Sequence, residues 1–175
     1  STLTEDQTRY IFETNTILFE GDTIAKVDDI LETANHFKLV DYMLDVADKK
    51  LTENLIKEFH KILKDGTSDS RVEWFNVGEY KQRANTISPN NVEKEMSKLI
   101  DWYNSLKNVT IKDIIEFHYR FESIHPFQDG NGRIGRIIMF KECLKNNIVP
   151  FIIQDADKLF YYRGLKEYKS EKGYL

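Results

Sequence analysis

His125, Asp129, Arg133 and Arg136 fall within one short reach of chain, IHPFQDGNGRIGR at residues 124–136, and these types at this spacing suit chemistry on a polyphosphate. An imidazole is the only group there able to accept a proton near neutral pH. Asp129 offers hard oxygens that match Mg²⁺ bridging phosphates better than a softer metal. Gly130 and Gly132 bracket Asn131 and permit positive φ, so successive backbone N–H groups can converge into an anion-binding nest. Arg133 and Arg136 stand three residues apart in what reads as the first turn of a helix, which adds two bidentate donors and a helix dipole. Taken singly, a Gly-Asn-Gly is also an ordinary turn before a helix, and a lone histidine is also a hydrogen-bonded structural residue. A chain that needed only a turn has no reason to gather a pre-proline histidine, an acid and two arginines at one helix end.

The elements that must position this cluster are helical by their apolar period. Thr4 and Gln7 form a capping box for a first helix that is expected to run to Gly21, with Glu20 at its exit. Leu39, Tyr42, Met43, Val46 and Ala47 make one helical stripe. Thr52 caps a second helix whose stripe is Leu55, Ile56, Phe59, Ile62 and Leu63. After Pro89 the apolar positions run from Val92 through Met96, Leu99, Ile100 and Tyr103 to Leu106. Thr110 then opens a helix carrying Ile114, His118 and Phe121. Pro126 disfavours the helical conformation at His125, so this helix should stop near Ile124 and present His125 at the loop, with Phe127 anchoring the loop in the core. The helix that follows, RIGRIIMFKECLK, is apolar on most sides and reads as central. Residues 64–70, KDGTSDS, are a turn-rich connection, and Gly78 separates two β-prone pieces within 71–87, predicting a small β-hairpin flap.

Composition narrows the function classes. A chain of 175 residues with 41% hydrophobic content can bury one core, and no linker divides it, so one domain over 1–175 is expected. The net charge of −4 argues against a broad surface for nucleic acid or anionic lipid. The single cysteine, Cys143, excludes an internal disulfide and points to a reducing compartment, with the cytoplasm as the expected location. No apolar run approaches a membrane span, and the opening STLTEDQTRY has no leader-like pattern, so neither membrane insertion nor secretion is expected. His36, His60 and His118 lie in ordinary helical stretches, His118 on an apolar stripe, where packing is the expected role.

At HPFQDGNGRIGR the chain resembles the Fic family, whose signature His-Pro-Phe-x-acid-Gly-Asn-Gly-Arg-x-x-Arg is met at every fixed position. The resemblance implies an all-α fold, a compact Fic-type helical bundle with one β-hairpin flap at 71–87. It implies transfer of AMP from ATP to a hydroxyl side chain of a target protein (AMPylation). His125 would deprotonate the target hydroxyl and Asp129 would hold Mg²⁺. Gly130, Asn131, Gly132 and Arg133 would cradle the phosphates, with Arg136 on the γ-phosphate. Tyr162 and Leu165 fall where the family lines its adenine pocket, although Lys169 stands where asparagine is frequent. In the flap, Lys81 replaces a frequent arginine. The implied partners are ATP and a target protein bearing Tyr, Ser or Thr, with room left for a homo-oligomer.

Thr16-Ile17-Leu18-Phe19-Glu20-Gly21 is similar to the inhibitory pattern of the N-terminally autoinhibited class. The resemblance implies that Thr16, Glu20 and Gly21 regulate the site from the 4–21 helix, with Glu20 pairing Arg136 and blocking productive γ-phosphate binding. Alternatives from the same residues are hydrolytic removal of AMP from a modified protein, and a nucleotide-binding module whose catalysis has lapsed.

Overall fold

The computed structural model describes residues 3–14, 26–85 and 88–170. Among them are seven α-helices. The Thr4–Gln7 capping box forms in both directions, Thr4 N–H donating to Gln7 Oε1 at 3.0 Å and Gln7 N–H to Thr4 Oγ1 at 3.2 Å. It opens α1, Glu5–Thr14, which packs on α2, Val27–Asp45. The inhibitory assignment to Thr16, Glu20 and Gly21 lies outside the described residues.

Thr52 caps α3, Glu53–Lys64, by accepting from Leu55 N–H at 3.2 Å. The apolar face of α3 packs against α2, and buried Asn35 of α2 donates to the Leu63 and Asp65 carbonyls at 3.2 and 2.7 Å. Two carbonyls at the α3 C-terminus are thereby satisfied. The same clasp brings Glu32 of α2 to the end of α3. Next come α4, Val92–Ser105, and α5, Ile111–Ile124, whose Thr110–Asp113 capping box is complete.

Helix α6, Asn131–Lys145, packs against α2, α3 and α5. Ile134 and Cys143 are fully buried on it and Ile138 nearly so. It also buries Lys141, whose ammonium donates to the Lys49 carbonyl at 2.6 Å and to Glu142 Oε1 at 2.7 Å, while Tyr103 Oη donates to Glu142 Oε2 at 2.9 Å. Replacing Glu142 by glutamine keeps the shape but removes the charge facing Lys141. The expected loss is about 1–2 kcal/mol, read as a lower urea midpoint. Helix α7, Lys158–Glu167, completes the bundle.

The expected β-hairpin is not there. Residues 72–85 form successive turns, and among the described residues there is no strand. Asn76 and Gly78 both have positive φ, and turn hydrogen bonds run from Phe75 N–H to Val72 O and from Glu79 N–H to Asn76 O. A backbone donor that a hairpin would pair across its strands, and a side-chain amide after it, are spent on the neighbouring loop. Lys81 N–H donates to the Pro126 carbonyl at 2.8 Å, and Asn85 Nδ2 to the Phe127 carbonyl at 3.0 Å. The β-prone residues here mark burial of Phe75 and Tyr80, not strand pairing.

Candidate active site

The loop 125–130 joins α5 to α6 and is held from three directions. From within, buried Asn131 accepts from Phe127 N–H through Oδ1 and donates to the Phe127 carbonyl through Nδ2, both at 2.8 Å. From α3, the His60 ring stacks on Phe127 at 4.0 Å between centroids. Gly78 N–H donates to His60 Nδ1 at 2.9 Å, which places the ring proton on Nε2, and Nε2 donates to the Asp129 carbonyl at 3.1 Å. Burial lowers His60 to about 4, so it stays neutral. From the turn segment, Lys81 Nζ reaches the Ile124 carbonyl at 3.4 Å. The motif loop is thus fastened by residues the motif does not contain.

His125 ends α5 in the left-handed region, with φ 51° and ψ 62°. A non-glycine residue in that conformation before proline is strained by about 1–3 kcal/mol. The cost is borne by the Phe127 and Lys81 anchors, and it aims the imidazole into a cavity of about 200 Å³. Burial first, and then the charge of Lys81, lower its pKa below the ordinary histidine value. The Glu122 carbonyl, which takes a ring N–H, and the Asp129 carboxylate act in the opposite sense. One ring nitrogen is therefore held protonated and the other keeps its lone pair.

Asp129, Gly130, Asn131, Gly132, Arg133 and Arg136 line the same cavity, as do Glu122, Tyr161 and Tyr162. Leu165, half-buried one turn further along α7, is outside this set. Helix α6 starts at Asn131, two residues earlier than its apolar run, so Gly132 lies inside the first turn and only Gly130 takes positive φ, at 83°. A Cβ on Gly130 would also stand 3.2 Å from Leu63 Cδ2. Gly130 makes no side-chain cap and Asn131 turns its amide back to Phe127, so no cap competes with an anion for the first-turn N–H groups of α6.

Beside the cavity lies a cluster of charges that no motif announces. Lys64, 1% exposed, donates to Glu32 Oε1 at 2.6 Å and to Asp69 Oδ2 at 2.8 Å, and it also holds Asp129 Oδ2. Arg133 pairs with Glu32 and approaches Asp129 Oδ2 at 3.3 Å. Burial alone would raise Asp129, yet the Lys64 hydrogen bond and charge, the Gly130 N–H and Arg133 outweigh it and hold the carboxylate low. Both cations take Oδ2, so Oδ1 is the oxygen that a hard divalent cation would use. Glu32 and Asp69 place further carboxylate oxygens within 4.8 Å. This is an all-oxygen donor set of the kind Mg²⁺ prefers.

A family model described as Fic/DOC matches residues 50–143, more than half of the chain. The chain belongs to the Fic/DOC family. The Fic domain is 29% identical over 177 residues to the protein adenylyltransferase Fic of Nematostella vectensis, with 95% of this chain and 40% of that protein covered. It is 25% identical over 172 residues to the protein adenylyltransferase fic-1 of Caenorhabditis elegans, with 94% and 33% covered. The crystal structure of a Fic domain containing signaling protein from Bacteroides thetaiotaomicron aligns with a TM-score of 0.81 at 28% identity, covering 99% of this chain and 68% of that one. The chain therefore spans 40% or less of the two curated relatives.

Proposed function

We propose that this Fic domain transfers AMP from ATP to a hydroxyl of a target protein, Tyr, Ser or Thr. The observation that carries the reading is the shared cavity: the lone pair of His125, the uncapped first turn of α6 and the Arg136 guanidinium all border one space. His125 takes the proton of the hydroxyl. The freed oxygen bonds to the α-phosphorus while the bond from that phosphorus to the bridging oxygen breaks, and diphosphate leaves. The N–H groups of Gly130, Asn131 and Gly132, with Arg133, meet the charge that spreads over the phosphate oxygens, and Arg136 takes the γ-phosphate. Asp129 would hold Mg²⁺, which when bound neutralises phosphate charge. Tyr162, exposed at the cavity mouth, offers a ring face to adenine, with Leu165 behind it on α7. The lone buried Cys143 favours a reducing compartment such as the cytoplasm. No described helix is long and apolar enough to cross a membrane.

In the same reading Glu20 pairs with Arg136 and restrains the reaction. The test is intact-protein mass spectrometry after incubation with ATP and Mg²⁺. An AMP adduct is expected mainly in Glu20→Gly and absent from Glu20→Gly/His125→Ala. Equal adduct in wild type and Glu20→Gly would remove the lock. No adduct in any form, despite ATP binding, would favour AMP removal by water or a nucleotide-binding role without catalysis.

A further inference from the structure

One buried polar group in the cavity wall has no part in the chemistry above. Glu122 stands one turn before His125 on α5, and its Oε1 is buried without a hydrogen-bond partner. His118, a further turn back and 1% exposed, has a second such atom, Nδ1. Both lie against Gly135 of α6. A Cβ there would stand 2.5 Å from Glu122 Oε1 and 3.1 Å from His118 Nδ1, so the missing side chain is what admits the pair. On its other edge His118 Nε2 lies 2.7 Å from Tyr161 Oη, and the Arg136 guanidinium reaches that same hydroxyl.

The protons can run in only one direction along this row. Arg136 is a donor only, so the Tyr161 oxygen accepts from it and its O–H donates to His118 Nε2. The His118 proton is then on Nδ1, at the Gly135 backbone, against which Glu122 Oε1 also lies. Burial keeps His118 neutral, lowering it to about 4. Arg136 is thereby tied, through a phenol, to a buried stack on α5. Among the described residues no carboxylate pairs with it at salt-bridge distance. A flexible guanidinium on the second turn of α6 is fixed in this way without its charge being cancelled, and that is what recognition of an outer phosphate requires.

We infer that Tyr161, backed by His118 and Glu122, is the positioning residue that sets Arg136 for the γ-phosphate and so makes the site prefer a nucleoside triphosphate to a diphosphate. The inference rests on the reading that Arg136 takes the γ-phosphate. The experiment is calorimetric binding of Mg-ATP and Mg-ADP to the Glu20→Gly chain, which removes the acid proposed to compete for Arg136, and to variants made in it. Arg136→Ala is expected to bring the ATP-over-ADP affinity ratio close to one. Tyr161→Phe is expected to lower the ratio about fivefold to tenfold, with ADP affinity unchanged. Glu122→Gln, which keeps the shape that lies against Gly135, should keep the parent ratio. If Tyr161→Phe keeps the parent ratio where Arg136→Ala has lost it, the inference falls and the reading of Arg136 stands. An equal loss of ATP and ADP affinity in Tyr161→Phe would also overturn it, as a structural effect. A ratio unmoved by Arg136→Ala would overturn the reading itself.

Discussion

Replacing His125 by alanine is expected to lower AMP transfer by about 10²–10⁴-fold, the usual contribution of a positioned general base, while ATP binding changes little. The split follows from the geometry. On the proposed reading the phosphates are met by α6 and Arg136, while His125 lines the same cavity and is the group proposed to take the hydroxyl proton. The pH dependence tests the same assignment by another route. Burial and then Lys81 hold His125 below the ordinary imidazole range, so the neutral, accepting form persists below pH about 6.5. Activity falls as pH drops through the lowered pKa, because an imidazolium has no lone pair to give. Rates of adduct formation in Glu20→Gly should therefore be flat at neutral pH and decline only on the acid side of the usual histidine value. An acid limb above that value, or a His125→Ala chain that still transfers AMP, would remove His125 as the base.

What could be read from the sequence and what could not divides by the range of the forces involved. The helices were legible because caps and apolar period act over a few residues, as Thr4, Thr52 and Thr110 each illustrate. The motif was legible because His125, Asp129 and the two arginines are sequence neighbours. The flap was misread because β-prone residues around a glycine describe a buried irregular loop as well as a hairpin. The choice is made by a distant partner, here the Pro126 and Phe127 carbonyls. Gly132 was misplaced for a smaller reason: the α6 start is set by the Asn131 clasp on Phe127, which no propensity encodes. Glu32, Lys64 and Tyr161 were invisible as site residues. Lys64 closes an amphipathic helix, where a lysine ordinarily points to water. It is buried because Asn35 clamps α2 to the α3 end and brings an acid to meet it. For Tyr161 the one available signal was His118 on an apolar stripe, a buried imidazole needing a partner from elsewhere in the chain.

Lys64→Met should be the most damaging single change outside the motif. It replaces a buried ammonium by an uncharged chain of similar length and leaves Glu32, Asp69 and Asp129, with oxygens within 4.8 Å of one another, to repel with only Arg133 between them. Removing one partner of a buried ion pair costs about 3–5 kcal/mol. With the Asp129 side chain 56% exposed, solvent screens part of this, and about 3 kcal/mol is expected. The sign of its pH dependence separates this cause from a packing defect. In the parent chain Asp129 is held below the ordinary aspartate value, so its pairing stabilises above that value and is lost as pH falls through the lower, folded one. Without Lys64 the crowded carboxylates should instead have raised pKa values. The folded variant then binds more protons than the unfolded chain, and its deficit should shrink on acidification. Urea midpoints of both chains at neutral pH and near pH 5 (about one unit above an ordinary carboxylate) measure this directly, and a cavity-type loss would be the same at both. AMP transfer should fall with the midpoint deficit and beyond it, because Asp129 would lose the ammonium that orients it and the Mg²⁺ it is proposed to hold would lose a fixed ligand. Equal midpoints at neutral pH would mean that Lys64 does not hold this cluster together.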